Sequence, residues 1–480
     1  MITSPIGRWA LAVAGISLSL TMPIQAQINA PQALQEAPKA KNVILFIGDG
    51  MGISTVTAAR IYDGQSRGET GEENLLSFEH FPNIALVKTY NSNQQVPDSA
   101  GTATAMNTGM KTRAGAIGVG PAAHIGDCSE GLANRLPTAA EQLHARGRAI
   151  GIVSTARITH ATPAAVYAHS PDRDWESDAS IPESERGKGC TDIAAQLVNF
   201  PFSVALGGGS REFFGKAKGG KRLDDKADLI AAWRRAQNGH FVTTSAELAN
   251  APSDGRPLLG LFAVSHMSYI LDRPSNSVEP TLSEMTGAAI DRLAKDPDGY
   301  FLMVEGGRID HGHHDGKAAY ALSETQEFAR AVQLALSKVD LSNTLILVTA
   351  DHSHVFTIAG YPTRGNPILG LAMGNDDRGD PTGKPIRALD GQPYTTLGYQ
   401  NGPGAITSWP RPAPATDPKA PQQALVPTGD TFNGTHTPSE THGGEDVPLY
   451  ATGQGSERAR GVIEQSSIFD IIMGAFGLRR

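Results

Sequence analysis

The sequence predicts an α/β fold, a three-layer sandwich in which a central, mostly parallel sheet is flanked by helices and carries a small insert. Short continuous apolar runs, typical of strands buried on both faces, alternate with amphipathic helical segments. Glycine (53) and proline (31) together make up about a sixth of the 480 residues. That share indicates many turns, and it excludes a coiled coil or a plain helical bundle.

The predicted elements alternate along most of the chain. The strands are expected at 43–47, 149–154, 204–206, 301–304, 344–349 and 447–451. The helices are expected at 138–145, 192–198, 281–293, 318–336 and 468–476. A glycine run at 207–209 predicts a turn after the third strand. Residues 363–438 are rich in Gly, Pro, Asp and Asn, which predicts an insert whose surface portion lies near 409–423.

The N-terminus is typical of a secretory signal at residues 1–26. Arg8 supplies a positive charge, residues 9–21 are apolar, and Ala26 is a small residue suited to cleavage. The alternative is a retained membrane anchor, but the apolar run is shorter than the roughly 20 residues that span a bilayer. We therefore expect a periplasmic or secreted protein with a flexible tether at 27–40, followed by one folded domain at 41–480. The C-terminus ends in two arginines and predicts no glycolipid anchor.

Charge and cysteine content exclude two classes of protein. The formal net charge is −8, so nothing favours nucleic-acid binding, and an anionic substrate must be attracted by a local site. The two cysteines, Cys128 and Cys190, are too few for a cysteine-type zinc site. In an oxidising compartment they are expected to form one disulfide, and the alternative is two separate buried thiols.

Acidic side chains follow three of the predicted strands. Asp49 comes after the first strand, Glu305 after the fourth, and Asp351 with His352 after the fifth. A single carboxylate at such a point is usually a helix cap. Three carboxylates at the carboxyl edge of one sheet would repel each other, however, and this arrangement favours cations between them.

Further candidate ligands lie close together in the sequence. Asp310 and His314 are four residues apart, so one helical face can direct both at the same metal ion. The alternative for this stretch, 305–314, is a solvated polar loop. The segments 349–354 and 440–446 add more His, Asp and Glu. Oxygen and nitrogen ligands without thiolate suit catalytic zinc and magnesium.

Two other residues are candidates for phosphate chemistry. Ser99 precedes a run of small residues that favours a helix, and a helix N-terminus with free N–H groups can hold a phosphate. The alternative is that Ser99 only caps that helix. Arg173 is a candidate bidentate clamp for phosphate oxygens, and the alternative is an ordinary surface charge.

Together these motifs resemble those of alkaline phosphatases from about residue 41 to the C-terminus. The matching stretches lie in the family's order, at 49–52, 97–105, 159–163, 305–314, 349–354 and 441–447. At positions 160 and 311 this chain has histidine, as the animal-type branch does and the common enterobacterial form does not.

The resemblance implies a role for each matching residue. It implies a phosphate monoester hydrolase in which Ser99 becomes phosphoserine and Arg173 binds the phosphate. Two zinc ions and one magnesium ion are implied. Their implied ligands are Asp310, His314 and His442 for the first zinc, Asp49, Asp351 and His352 for the second, and Asp49, Thr162 and Glu305, with His160 nearby, for magnesium. It also implies a Cys128–Cys190 disulfide, a crown-like insert at 363–433, and a homodimer.

One departure and two alternative functions remain. Animal-type members have a fourth, calcium-like site, which Phe262 and Glu279 match here, but Ala263 replaces an acidic ligand and no fourth ion is expected. A phosphodiesterase, nucleotide pyrophosphatase or sulfatase on the same scaffold is one alternative, and Arg173 disfavours it because a diester has fewer charged oxygens. The other is a non-catalytic exported metal- or phosphate-binding protein, which the nucleophile position disfavours.

Overall fold

A computed structural model describes residues 39–432 and 435–478. The predicted signal segment and the predicted tether up to residue 38 lie outside the described residues. Ala40 is buried, and its N–H donates to the carbonyl of Ala475 at 2.8 Å. The packed structure therefore includes the last residue of the predicted tether. Within the described ranges, no helix is long and apolar enough to cross a membrane.

Nineteen strands are present in the described residues, and ten of them form the central sheet. In chain order the strands are β1 (Asn42–Gly48), β2 (Asn83–Lys88), β3 (Ala149–Arg157), β4 (Val204–Gly208), β5 (His240–Val242), β6 (Leu258–Leu261), β7 (Tyr300–Gly306), β8 (Thr344–Ala350), β9 (Ser353–His354), β10 (Phe356–Ile358), β11 (Met373–Asn375), β12 (Pro381–Pro385), β13 (Leu397–Asn401), β14 (Ala424–Val426), β15 (Gly429–Phe432), β16 (Thr435–Pro438), β17 (His442–Gly443), β18 (Val447–Gly453) and β19 (Gly461–Glu464).

Twelve α-helices occur in the same ranges, with short 3₁₀ turns between them. The helices are α1 (Ile53–Ser66), α2 (Ser99–Thr108), α3 (Cys128–Ala133), α4 (Ala139–His144), α5 (Ala161–Ala164), α6 (Ile193–Asn199), α7 (Leu229–Gln237), α8 (Ser245–Ala249), α9 (Leu282–Leu293), α10 (Arg308–His314), α11 (Ala318–Lys338) and α12 (Ser467–Ala475).

The central sheet has the strand order β19-β2-β18-β8-β1-β7-β3-β4-β6-β5. Every neighbouring pair is parallel except the two pairs that include β18, which runs antiparallel to both β8 and β2. The middle strands β1, β7 and β8 are buried along nearly their whole length, as their continuous apolar sequences predict. The predicted mostly parallel α/β sheet is confirmed.

Local sequence explains where several helices begin. Thr281 caps α9, and the Glu284 side chain accepts a hydrogen bond from the Thr281 N–H in return, forming a capping box. The predicted turn at 207–209 is wrong for its first two glycines. Gly207 and Gly208 continue β4 and pair with its neighbouring strands, and their lack of a side chain allows other backbone atoms to lie close to them. Of the three glycines, Gly209 alone takes a left-handed φ, of 94°.

The segment predicted as an insert contains small sheets separate from the central one. Strands β10, β13 and β14 form a three-stranded sheet, while β11–β12 and β15–β16 form hairpins. The first small sheet begins at Phe356, before the predicted boundary at 363. Residues 409–423 contain no strand or α-helix.

Cys128 and Cys190 form a disulfide with their Cα atoms 5.7 Å apart, which makes the alternative of two free thiols wrong. Cys128 is buried beside Trp175 and Ile181. The bond closes a loop of 62 residues, so the chain-entropy model assigns it about 4 kcal/mol.

Reduction of this disulfide is expected to lower the melting temperature by roughly 5 °C, because the unfolded chain regains the freedom of that loop. Calorimetry with and without reductant measures the shift. Titration of the native protein should find no free thiol, and two titratable thiols would contradict the bond.

Candidate active site

The register of the three middle strands brings their carboxyl ends to one place. Ile47 of β1 pairs with Glu305 of β7 on one side and with Thr349 of β8 on the other. Asp49 and Asp351, which directly follow β1 and β8, therefore emerge beside Glu305 at the same edge of the sheet. All three carboxylates are fully buried.

These carboxylates are not helix caps. Helix α1 is capped by Gly52 and α10 by Gly307, and neither cap involves a side chain. The capping alternative is therefore wrong for Asp49 and Glu305. Their positions suit a ligand that lies beyond the sheet.

One cluster of ligand atoms adjoins Ser99. His352 Nε2 lies 3.5 Å from Asp49 Oδ1 and 3.4 Å from Asp351 Oδ2. The hydroxyl oxygen of Ser99 lies 3.0 Å from His352 Nε2 and 3.4 Å from Asp49 Oδ1. Two carboxylates and an imidazole thus converge beside a serine hydroxyl.

A second cluster is built on α10. Asp310 and His314 share one helical face, with Asp310 Oδ1 3.3 Å from His314 Nε2. His442 on β17 reaches the same point, with its Nε2 3.5 Å from Asp310 Oδ1 and 3.1 Å from His314 Nε2. The alternative of a solvated polar loop is therefore wrong for this stretch.

Backbone carbonyls orient both histidines of this cluster. The Nδ1–H of His314 donates to the carbonyl of Glu440 at 2.7 Å, and that of His442 donates to the carbonyl of Pro97 at 2.8 Å. Each ring then directs its Nε2 lone pair into the cluster, as metal-binding histidines do.

A third group consists of oxygen atoms around Glu305. Asp49 Oδ2, Thr162 Oγ1 and Glu305 Oε1 are buried and have no hydrogen-bond partner among the described residues. The other Glu305 oxygen accepts from the Ser154 hydroxyl. Buried oxygen atoms without partners are costly unless they bind a cation, and an all-oxygen set fits magnesium. A ring nitrogen of His160 lies within 4.8 Å of the Asp49 and Glu305 oxygens.

Crowding shifts the pKa values of these acids. Burial, reinforced by Asp351 and Asp310, raises the pKa of Asp49 well above its usual value. Burial likewise raises the pKa of Glu305 to about 7 and that of Asp351 to about 6. Burial also opposes ionisation of Asp310, but His314 and His354 outweigh it and lower that pKa. Cations between these groups would relieve the repulsion.

Ser99 is the first residue of α2, and Asp98 caps the helix. The Asp98 carboxylate accepts from the N–H of Gly101 at 3.0 Å, so the alternative in which Ser99 is the cap is wrong. Residues 99–107 are buried, which explains why they are mostly small. The Ser99 hydroxyl is left to face the metal-ligand clusters.

Arg173 is held between two residues of the site. Its Nη1 donates to Asp98 Oδ2 at 3.1 Å, and its Nη2 donates to His160 Nε2 at 3.0 Å. Its side chain is 23% exposed, so the alternative of a free surface charge is wrong. Because arginine only donates, Nε2 of His160 must be an acceptor.

The comparisons with known proteins agree with this geometry. A family model described as alkaline phosphatase matches residues 40–478. The chain belongs to the alkaline phosphatase family. It is a metal-dependent phosphate monoester hydrolase, and its curated relatives are named alkaline phosphatases.

Animal enzymes are among the similar proteins. The tissue-nonspecific alkaline phosphatase of Gallus gallus is 46% identical over 452 residues, covering 89% of this chain and 83% of the relative. The human tissue-nonspecific isozyme is 43% identical, covering 89% and 82%. The alkaline phosphatase of Gadus morhua is 42% identical and covers 90% of each chain.

Solved bacterial structures share the fold. The alkaline phosphatase of the Antarctic bacterium TAB5 has a TM-score of 0.63 and 25% identity, covering 92% of this chain and all of that chain. A substituted form of that enzyme has Mg bound in the M3 site. The Thermus thermophilus alkaline phosphatase, at 24% identity and a TM-score of 0.64, covers 95% of this chain and 96% of that chain. It supports the fold alone.

The calcium-like position is taken up by protein contacts. The Glu279 carboxylate accepts from the N–H and the hydroxyl of Ser268 at 2.8 and 2.9 Å, and Arg273 lies 3.5 Å away. With Ala263 in place of an acid, the absence of a fourth cation stays a prediction.

Two buried residues of the phosphatase site, His354 and Glu440, were not among the predicted ligands. His354 donates from Nε2 to Asp310 Oδ1 at 2.9 Å and contacts Glu440 Oε2 through Nδ1 at 2.5 Å. Burial opposes the charged imidazole, but Glu440 and then Asp310 raise the pKa of His354 to about 10. Both residues lie in segments that contain several His, Asp and Glu side chains. The spacing of these residues in the sequence does not indicate that His354 contacts Glu440.

Proposed function

We propose that Ser99 is the nucleophile of this phosphatase and that the three clusters hold two zinc ions and one magnesium ion. The observation that carries the proposal is the Ser99 hydroxyl, 3.0 Å from His352 Nε2 and 3.4 Å from Asp49 Oδ1. The first zinc would bind Asp310, His314 and His442, the second would bind Asp49, Asp351 and His352, and magnesium would bind Asp49, Thr162 and Glu305 with His160 nearby. When bound, these ions supply Lewis acidity that lowers the pKa of a hydroxyl and neutralises charge on phosphate oxygens.

The formal charges support an anionic substrate. Three divalent ions bring about +6, four carboxylates about −4 and Arg173 about +1, which leaves roughly +3. A phosphate monoester dianion with a Ser99 alkoxide carries about −3. A protein of net charge −8 can therefore hold this anion in a nearly neutral site.

Side chains of the protein have a defined role in each step of the reaction. The forked guanidinium of Arg173 binds two phosphate oxygens, and Asp98 keeps it pointed at them. The Ser99 hydroxyl releases its proton to solvent as its Oγ attacks phosphorus and forms the new P–O bond, the ester P–O bond breaks, and the alcohol leaves with a proton from solvent. A water molecule then attacks the phosphoserine, which releases phosphate and restores the Ser99 hydroxyl.

The Arg173→Gln variant is expected to lower kcat/KM for monoesters about 10- to 100-fold, because hydrogen bonds to charged groups are worth about 1.5–3 kcal/mol. Weaker inhibition by inorganic phosphate should accompany the loss. Steady-state kinetics on mono- and diesters measure it, with Arg235→Gln, at an exposed position on α7, as the control. A variant with unchanged monoester preference would remove Arg173 from phosphate binding.

The test of the function is an aryl-phosphate assay across the alkaline pH range with chelator and metal add-back. Turnover that a chelator abolishes and zinc with magnesium restores is the expected result. A substrate panel separates the alternatives, since faster hydrolysis of diesters or sulfate esters would favour them. Absence of turnover with any ester would favour a binding protein.

The insert is proposed to mediate a homodimer. Exposed apolar side chains lie within it, among them Leu389, Trp409 and Leu425, and Trp409 is 81% exposed. Large exposed apolar surfaces are typical of protein interfaces.

Trp409→Glu combined with Leu425→Glu is expected to give monomers by light scattering, because charge in an apolar interface opposes association. Val264→Glu, also at an exposed apolar position, is the control and should leave the mass unchanged. A wild-type protein that is monomeric at all concentrations would contradict the dimer.

Export is proposed from the N-terminal sequence. Cleavage after Ala26 would leave Gln27 as the first residue of a periplasmic or secreted enzyme. Mass spectrometry of the mature chain tests this, and a retained Met1 would contradict it.

A further inference from the structure

Glu440 lies in the segment just before His442, where this segment meets β9 and helix α10. It follows the β15–β16 hairpin and precedes His442 by two residues, and it is 1% exposed. Its Oε2 contacts His354 Nδ1 at 2.5 Å, and its Oε1 accepts from the N–H of Val355 at 2.7 Å. Both carboxylate oxygens are therefore hydrogen-bonded to β9 and to the residue that follows it.

His354 extends this contact to the first cluster. Its Nε2 lies 2.9 Å from Asp310 Oδ1. Since both partners of the ring are carboxylates, the ring donates from both nitrogens. The position of Asp310 thus depends, through one buried imidazole, on the side chain of Glu440.

The backbone of Glu440 orients a second ligand. Its carbonyl accepts from His314 Nδ1–H at 2.7 Å, and its N–H donates to the carbonyl of His314 at 3.0 Å. This pair of bonds fixes the rotation of the His314 ring and the lone pair on its Nε2. Glu440 is therefore bonded to His314 directly and to Asp310 through one intermediary.

A direct metal role for Glu440 does not fit these contacts. The ligand atoms of His314, His354 and Glu440 lie close enough to surround a cation. However, the Nδ1 atoms of both histidines donate hydrogen bonds, to the Glu440 carbonyl and to its carboxylate, so neither lone pair is free. The group is a hydrogen-bond network beside the site and not another metal site.

We propose that Glu440 is a positioning residue for the first zinc site, where it sets Asp310 through His354 and His314 through its own carbonyl. The proposal rests on the zinc assignment made above. Groups that hold metal ligands in this way typically change metal affinity 10- to 100-fold when removed.

The test compares Glu440→Ala and Glu440→Gln with Glu445→Ala. Glu445 is the matched control because its Oε1 accepts from the Ser353 hydroxyl at 2.5 Å. It therefore also joins β9 to a residue beside β17, and no described histidine is among its hydrogen-bond partners. The readouts are the rate of zinc release to a chromogenic chelator and the visible spectrum of the cobalt-substituted enzyme. The spectrum reports ligand geometry, which a general loss of stability would not alter in folded protein.

Glu440→Ala is expected to release one zinc about 10- to 100-fold faster and to change the cobalt spectrum, with a smaller effect in Glu440→Gln. The control should match the wild type. If the alanine variant does not fold, the glutamine variant decides the question. Wild-type release and spectrum in a folded Glu440 variant would overturn the positioning role. A wild-type enzyme that binds no zinc would instead overturn the zinc assignment, so the two failures are distinguishable.

Discussion

Ser99→Ala is expected to lose at least about 10³-fold in turnover while its metal content stays unchanged. The variant removes one oxygen atom at the start of α2 and disturbs little else, because α2 is capped by Asp98. The clusters beside it keep all their ligands, since Ser99 contacts His352 and Asp49 only through its hydroxyl. Stopped assays with an aryl phosphate, paired with elemental analysis, measure both quantities.

Thr108→Ala is the matched control for this variant. Thr108 lies on the same helix at the opposite end, where its hydroxyl donates to the carbonyl of Thr104. Its loss should leave turnover near the wild-type rate. Acid quenching of the wild type should trap phosphate on the Ser99 peptide. Full activity in Ser99→Ala, or phosphate trapped on another residue, would remove Ser99 from the nucleophile role.

His314→Ala is expected to lose one zinc per chain and at least about 100-fold in activity. The ring supplies one of the three protein ligands of the first cluster, and Asp310 and His442 alone offer a weaker site. The zinc-to-protein ratio after dialysis measures the loss directly.

The matched control for this variant is His124→Ala. His124 is exposed, and within the described part of the chain its ring is hydrogen-bonded to Glu130, at 2.8 Å through Nδ1. It should keep both zinc ions and full activity. An unchanged zinc ratio in His314→Ala would show that α10 does not hold the first zinc.

Much of the sheet could be predicted from the sequence. Strands β1, β7 and β8 are buried on both faces, so their sequences are mostly apolar. A carboxylate lies at or just beyond the end of each strand, and parallel strands bring such residues to a shared edge. Strand ends and helical spacing therefore indicated the acidic ligands, His314 and His352, whereas the roles of His160, Thr162 and His442 followed from the family resemblance.

Contacts between distant segments could not be predicted in this way. The bond between His314 and Glu440 joins residues 126 positions apart, and nothing local in either segment encodes it. The antiparallel direction of β18 could not be predicted either, because a buried strand has the same apolar pattern whether it runs parallel or antiparallel to its neighbours. The small sheets of the insert have short strands with mixed burial, which leave no clear period-two pattern.

An anomalous-scattering map at the zinc absorption edge, from crystals grown with zinc, magnesium and phosphate, tests the central claim most directly. The account predicts two zinc peaks, one among Asp310, His314 and His442 and one among Asp49, Asp351 and His352, with phosphate between them and Ser99. Zinc peaks elsewhere, or phosphate bound away from the Ser99 hydroxyl, would contradict it.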